Sequence, residues 1–283
     1  MPFPRAVDQH KPGKPLVSNC YGIFYSLASV CYWFVLYFLG VDTQQSLALA
    51  ASVLFGSNMG LFDDLVDLPW RYKAVLPVFA ALPYMVLKPS DRTTISALLV
   101  GVVDLGSLFF LLLVPAIVTV AVNSYNQLGG LNGLEALTGL ILIGGLAVAS
   151  REYVLLAVPL LMLVILFYLS FTGRAFIGNV GSFSIGLTFA VYAIIANLKI
   201  FLLISLAPFI LNSLLILCSR FFLHERADTH MDDRGSLHSS KVRSLRSLLL
   251  HYMPMSERTT VLVLSLLVLA SVVLSLLIAP HFS

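Results

Sequence analysis

The sequence predicts an all-α, polytopic integral membrane protein of about nine transmembrane helices, folded as a single domain over residues 1–283. Two observations carry this expectation. Hydrophobic residues make up 59% of the chain and charged residues only 11%, against about 25% charged in an average soluble domain; mean hydropathy is +0.94. The apolar residues also fall in runs close to the ~20 residues that a helix needs to cross a bilayer core. No compact soluble fold of this size can hide so much apolar surface, which excludes a soluble enzyme, a disordered chain and a nucleic-acid binder. The net charge of +3 is too small to argue for a polyanionic partner.

Taken in order, the first nineteen residues are polar and rich in Pro and Lys, with no apolar core, so no cleavable signal peptide is expected. Candidate spans follow at 20–40, 46–61, 74–87, 105–122, 135–150, 153–171, 181–196, 200–218 and 259–280. The short ones imply tilt or shelter by neighbours. Gly56 and Gly60 make a G-x-x-x-G pair that reads as close helix packing. Segment 88–104, with Thr93-Thr94-Ile95-Ser96, reads as a short strand or a surface helix. Segment 219–258 is polar, and its Leu245–Leu250 run reads as an amphipathic interfacial helix. Cys20, Cys31 and Cys218 show no paired spacing and read as buried thiols.

With the N-terminus on the inner side, thirteen of the seventeen Lys and Arg fall inside. Only Lys88, Arg92, Arg151 and Lys199 fall outside, a clear positive-inside bias. Ten of the fourteen acids fall inside as well. Acids do not set orientation, so their clustering predicts that the chemistry sits on the cytoplasmic face.

Four polar constellations stand on that face. In the first, Asp63 and Asp67 are four apart and share a helical face, with Asp64 beside them. Carboxylates crowded at a membrane interface repel one another unless a cation or substrate compensates. Hard oxygen ligands of this kind suit Mg²⁺, and Arg71 and Lys73 nearby suit phosphate oxygens; the bland reading is a solvated helix end. The second, Asn123 to Glu135, holds three Asn, a Gln and three Gly where lipid would favour Leu. Irregular backbone at membrane depth is tolerated where it lines a cavity, and amides can both donate to and accept from a nucleobase or sugar; an ordinary turn is the alternative. The third, Gly178-Asn179-Val180-Gly181-Ser182, opens a helix and could present N–H groups to an anion. The fourth mixes His and Asp between 224 and 238 without a repeated ligand spacing, and reads as a solvated loop.

Together these passages resemble the polyprenyl-phosphate N-acetylhexosamine-1-phosphate transferases, and most closely their dolichyl-phosphate GlcNAc-1-phosphate branch. Asp8-Gln9-His10-Lys11 resembles the family's N-terminal basic loop. Asp63-Asp64-x-x-Asp67-x-x-Trp70-Arg71-x-Lys73 resembles its aspartate motif. Asn123-x-x-Asn126 followed by Asn132-Gly133-Leu134-Glu135 resembles its nucleotide-binding loop, and Pro254-x-x-Glu257-Arg258 stands before the last span as in the dolichyl enzymes. The resemblance implies transfer of GlcNAc-1-phosphate from UDP-GlcNAc to a polyprenyl (dolichyl) phosphate, releasing UMP, with Mg²⁺ as cofactor. It implies catalytic roles for Asp63, Asp64 and Asp67, with Mg²⁺ held by Asn126 and Asn179. Lys73 would grip the diphosphate and Asn132 would read the uracil edge; Lys11, Asn123, Glu135, His224 and Arg226 complete the implied substrate contacts. The setting would be the cell membrane of an archaeon or the endoplasmic reticulum membrane of a eukaryote, and a homodimer is left open.

Three departures accompany the resemblance. Asn179 stands where the family usually has a Mg²⁺-binding Asp. The family's Arg-His-Arg is reduced to His224-Glu225-Arg226. Its usual ten spans appear here as nine, without the one that precedes the basic loop. Asn179 keeps open a catalytically weakened relative that binds UDP-sugar. An intramembrane prenyltransferase would show a second acidic motif, where this chain has Asn123 and Asn126. A transporter or flippase for a lipid-linked solute would place polar residues near mid-span in related halves, and no such repeat is visible.

Overall fold

The computed structural model describes residues 3–11, 13–90, 92–97, 101–222, 229–233 and 235–279. An antiparallel hairpin of β1 (Arg5–Val7) and β2 (Leu16–Ser18) leads into α1 (Gly22–Phe38) and α2 (Thr43–Val66). Next come α3 (Trp70–Val75), α4 (Pro77–Ala80) and α5 (Leu82–Leu87), then the hairpin of β3 (Thr94–Ala97) and β4 (Gly101–Asp104). A π-helical turn at Phe109–Leu113 runs into α6 (Val114–Leu128), followed by α7 (Leu134–Ser150), α8 (Ala157–Phe171) and α9 (Gly178–Ile195). The pair α10 (Lys199–Ser205) and α11 (Ala207–Phe222) is bent by 53°. Strands β5 (His230–Met231), β6 (Ser236–His238) and β7 (Met255–Ser256) form a small antiparallel sheet around α12 (Leu245–Tyr252), ahead of α13 (Glu257–Ile278).

The chain is mostly helical, but the three small sheets correct the all-α expectation. Among the described residues, four helices are long and apolar enough to cross a membrane. They are Thr43–Val66, Phe109–Leu128, Gly178–Ile195 and Glu257–Ile278, and the bent α10–α11 pair would make a fifth. Helices α1, α7 and α8 are apolar but shorter, at 17, 17 and 15 residues. The run at 74–87 is not one helix. Pro69, Pro77 and Pro83 each start a new segment, because proline lacks the N–H and its ring clashes with the preceding turn. Segment 88–104 takes the strand option, and α12 stands where the Leu245–Leu250 helix was expected. Cys20 is buried as expected, whereas Cys31 and Cys218 lie on exposed faces of apolar helices.

Helix α9 is the centre of the molecule, 89% buried and packed by α1, α2, α6 and α7. Its partner α2 comes closest through the G-x-x-x-G pair. A Cβ at Gly60 would stand 2.5 Å from the Asn179 carbonyl oxygen, and one at Gly56 would collide with Leu187. Asp64 lies one helical turn beyond Gly60, so this approach delivers its carboxylate to the N-terminus of α9.

Candidate active site

Asp64 accepts the backbone N–H of Asn179 on Oδ1 at 2.9 Å and that of Val180 on Oδ2 at 3.0 Å. These are first-turn N–H groups, and the α9 N-cap residue, Ile177, makes no side-chain cap of its own. A carboxylate from α2 therefore satisfies two orphan donors at the positive end of the α9 dipole. Gly178, at φ +75°, makes room: a Cβ there would lie 2.6 Å from Asp64 Oδ2. The Cys20 thiol, lodged beside this carboxylate in the loop before α1, is pushed up to about 12 by burial and by the charge and hydrogen bonding of Asp64.

Asp63 takes a different route. Its buried Oδ1 accepts from Leu68 N–H at 3.0 Å and pairs with Lys73 Nζ at 2.9 Å, while Oδ2 is buried without a partner among the described residues. Asp67 does not share the helical face that its spacing predicts. Helix α2 stops at Val66, and Asp67 flips to φ +51° with its side chain 97% exposed, touching Lys73 at 3.2 Å. It lines neither cavity described below.

A polar cavity of about 500 Å³ opens at these helix ends. Of the residues singled out in the sequence, Asp64, Asn126, Asn132, Glu135 and Asn179 line it together. Asn126 Nδ2 donates to Asn179 Oδ1 at 3.1 Å, which leaves the Asn126 carbonyl oxygen for another partner. Ser182 donates to the Glu135 carboxylate, drawing it against α9. Lys11 is held at 3.2 Å by Asp8.

A second, mostly apolar groove of about 470 Å³ lies alongside. Trp70, Val120, Leu214 and Leu217 form its apolar wall, with Lys73, Asn123 and Asn126 at its polar end. Asn123 is committed to structure, donating to the Ala74 carbonyl at 3.0 Å and tying α6 to α3. Asn126 lines both spaces. Among the described residues it is the one common to the two linings. His224 and Arg226 lie outside the described residues.

Asp8, His10, Phe176, Arg246 and Glu257 also line the polar cavity, though the sequence reading assigned none of them a site role. The signal was present for three of them, in Asp8-Gln9-His10-Lys11 and Pro254-x-x-Glu257-Arg258. Asp8, His10 and Glu257 bring potential ligand atoms within 4.8 Å of one another. Their carboxylates are already engaged, however, by Asn132 and Lys11.

Residues 46–197, more than half of the chain, match the sequence profile of glycosyl transferase family 4. The chain belongs to that family. Among similar proteins, one of Sulfolobus acidocaldarius is provisionally named a UDP-N-acetylglucosamine–dolichyl-phosphate N-acetylglucosaminephosphotransferase. It is 29% identical over 235 residues, covering 80% of this chain and 70% of that protein. A Dictyostelium discoideum protein bearing the same name is 27% identical over 259 residues, covering 74% of this chain and 63% of its own length. A third, from Schizosaccharomyces pombe, is 29% identical over 206 residues, with coverage of 63% and 46%. The glycosyl transferase family 4 match spans α2 to α9, the stretch that supplies Asp63, Asp64, Lys73, Asn126, Asn132, Glu135 and Asn179.

Proposed function

We propose that this member of glycosyl transferase family 4 transfers GlcNAc-1-phosphate from UDP-GlcNAc to a polyprenyl or dolichyl phosphate, releasing UMP and beginning a lipid-linked oligosaccharide. One observation carries the reading: the polar cavity and the apolar groove share Asn126. A nucleotide-sugar in the cavity and an isoprenoid chain in the groove would bring their phosphates together at that amide. The names of the relatives point to the same two substrates.

In this reaction an oxygen of the lipid phosphate forms a bond to the β-phosphorus of UDP-GlcNAc. The bond from that phosphorus to the UMP oxygen breaks, and the electron pair leaves on UMP. Such transfers depend chiefly on positioning and on charge neutralisation. Lys73, at the groove's polar end, is the cation for the phosphate oxygens. Asp64, fixed by the α9 N–H groups, sets the charge at the cavity wall, and Asp63, which lines neither space, acts through Lys73 by holding its ammonium. Phe176 offers an aromatic face to a base in the cavity.

The donor set fits a Mg²⁺ ion: the amide oxygens of Asn126 and Asn179, with the Asp64 carboxylate against Asn179, are hard oxygens of the kind this ion prefers. When bound, Mg²⁺ would neutralise charge on the diphosphate. Asn179 in place of Asp leaves this set one negative charge lighter.

Nine spans and a cytoplasmic site belong to the same proposal. Taking α3–α5, the π-turn with α6, and α10–α11 as one span each, and setting aside the short α12, the described helices group into nine. The C-terminal ends of α2 and α6 then join the N-terminal ends of α1, α7, α9 and α13 on the Lys- and Arg-rich side. Incubating the purified chain with sugar-labelled UDP-GlcNAc, dolichyl phosphate and Mg²⁺ tests the reading. Organic-extractable label supports it; its absence with every UDP-N-acetylhexosamine contradicts it and favours binding without turnover.

A further inference from the structure

We infer that Asp8 and Glu257 set the nucleobase choice of the polar cavity by fixing which way the Asn132 amide faces. The inference rests on the uridine-nucleotide reading above and goes on to what selects uracil. An asparagine is ambiguous as a reader: turned one way it offers two N–H donors, and turned the other an acceptor oxygen. Here the ambiguity is removed. Asn132 Nδ2 donates to Asp8 Oδ2 at 2.8 Å and to Glu257 Oε2 at 3.3 Å, while the Asn132 backbone N–H donates to Glu257 Oε1 at 2.9 Å. A carboxylate can only accept, so a flipped amide would set its oxygen against two anions. Both amide hydrogens are spoken for.

What remains is Asn132 Oδ1, buried and without a hydrogen-bond partner among the described residues, on a residue only 5% exposed that lines the cavity. A ligand that completes it must bring a donor. Uracil carries an N–H at ring position 3, whereas cytosine carries a lone pair there and would leave two acceptors facing each other. Sites built to bond a ligand N–H reject the analogue lacking it, because their own polar group is left unpaired.

The pair comes from the two ends of the chain. Asp8 stands in the turn after β1, where it accepts its neighbour's N–H from His10 at 3.2 Å and pairs with Lys11 at 3.2 Å. Glu257 is the first residue of α13 and has His10 Nδ1 at 3.8 Å. Neither acid needs to touch the nucleotide to act. They are positioning residues, and base preference is the property that separates this role from a merely structural one.

The test is equilibrium dialysis of radiolabelled UMP and CMP against the detergent-solubilised full chain. The wild-type chain is expected to bind UMP at least ten times more tightly than CMP. Glu257→Gln and Asp8→Asn, which can donate and so release the amide to turn, are expected to bring that ratio down toward one. Glu257→Asp, still only an acceptor, is expected to keep the ratio even if both affinities fall. Equal binding of UMP and CMP by the wild-type chain overturns the inference while leaving the uridine reading in place. So does an unchanged ratio in both amide variants. Failure of the wild-type chain to bind either UMP or UDP-GlcNAc overturns the uridine reading, and this inference with it.

Discussion

The carboxylate of Asp64, on α2, grips the backbone N–H of Asn179 at the first turn of α9, 115 residues away in sequence. This contact joins two roles. It ends the most buried helix of the molecule with an anion at the favourable end of its dipole, and it fixes the acid beside the two amides at the junction of cavity and groove. Substitutions here are therefore expected to separate chemistry from folding by degree.

Asp64→Asn retains one acceptor oxygen but turns an NH₂ toward the second N–H. Thermal denaturation is expected to report a loss of about 2 kcal/mol, the worth of one hydrogen bond to a charged group. Label transfer to lipid is expected to fall by at least about a hundredfold, the scale seen when one fixed electrostatic group is removed from an active site. Wild-type turnover in this variant would remove Asp64 from the machinery.

Gly178→Ala tests the cradle rather than the acid. Its φ of +75° is disfavoured for any side chain, and the new Cβ would stand 2.6 Å from Asp64 Oδ2. A stability cost of about 2 kcal/mol is expected from the left-handed backbone and the displaced carboxylate together. A fall in kcat should accompany it, read in the same transfer assay. Gly13, also at positive φ but with open space around it, is the control and is expected to leave kcat unchanged as Ala.

Lys73→Met removes the cation that Asp63 Oδ1 holds at 2.9 Å. Because the lysine is 29% exposed, the cost is expected at about 2 kcal/mol, below the ~3–5 kcal/mol of a fully buried pair. Thermal denaturation of the variant beside the wild-type chain checks this. In the transfer assay the KM for the lipid phosphate is expected to rise.

His10 gives a pH signature to the other wall of the cavity. Burial holds its imidazole below the ordinary 6.5, the Arg246 charge adds to the depression, and Asp8 partly opposes it. Below pH 6.5 the unfolded chain takes up a proton that the folded chain refuses until the lower folded value is reached. Stability is therefore lost as pH falls through that window and regained as it rises. Comparing melting temperature against pH for wild type and His10→Gln is expected to show a shallower acid slope in the variant.

Much of this arrangement was legible in the sequence, because apolar runs mark helices and because Asp, Asn and Gly are conspicuous where lipid favours Leu. The G-x-x-x-G pair announced close packing, and Asp64, Asn126, Asn132, Glu135 and Asn179 do line one cavity. Spacing could not say that α2 ends at Val66, which sends Asp67 into solvent while Asp63, four residues earlier, stays buried. Nor could it divide the tasks of Asp63 and Asp64, since adjacent residues on a helix differ by about 100° in direction. The Asp8–Asn132–Glu257 network joins residues 124 and 125 positions apart and exists only once the helices have packed.

Asn179→Asp restores a charge at the amide pair. If Asn126 and Asn179 hold Mg²⁺, the ion concentration for half-maximal label transfer is expected to drop severalfold. An unmoved Mg²⁺ titration would take residue 179 out of the ligand set.

The most direct measurement is the nucleotide left behind after turnover with uracil-labelled UDP-GlcNAc and dolichyl phosphate. Phosphosugar transfer at the junction of cavity and groove predicts UMP in equal amount to the GlcNAc carried into lipid, with the labelled β-phosphate travelling alongside it. UDP as the product, with the β-phosphate remaining on the nucleotide, would contradict the account.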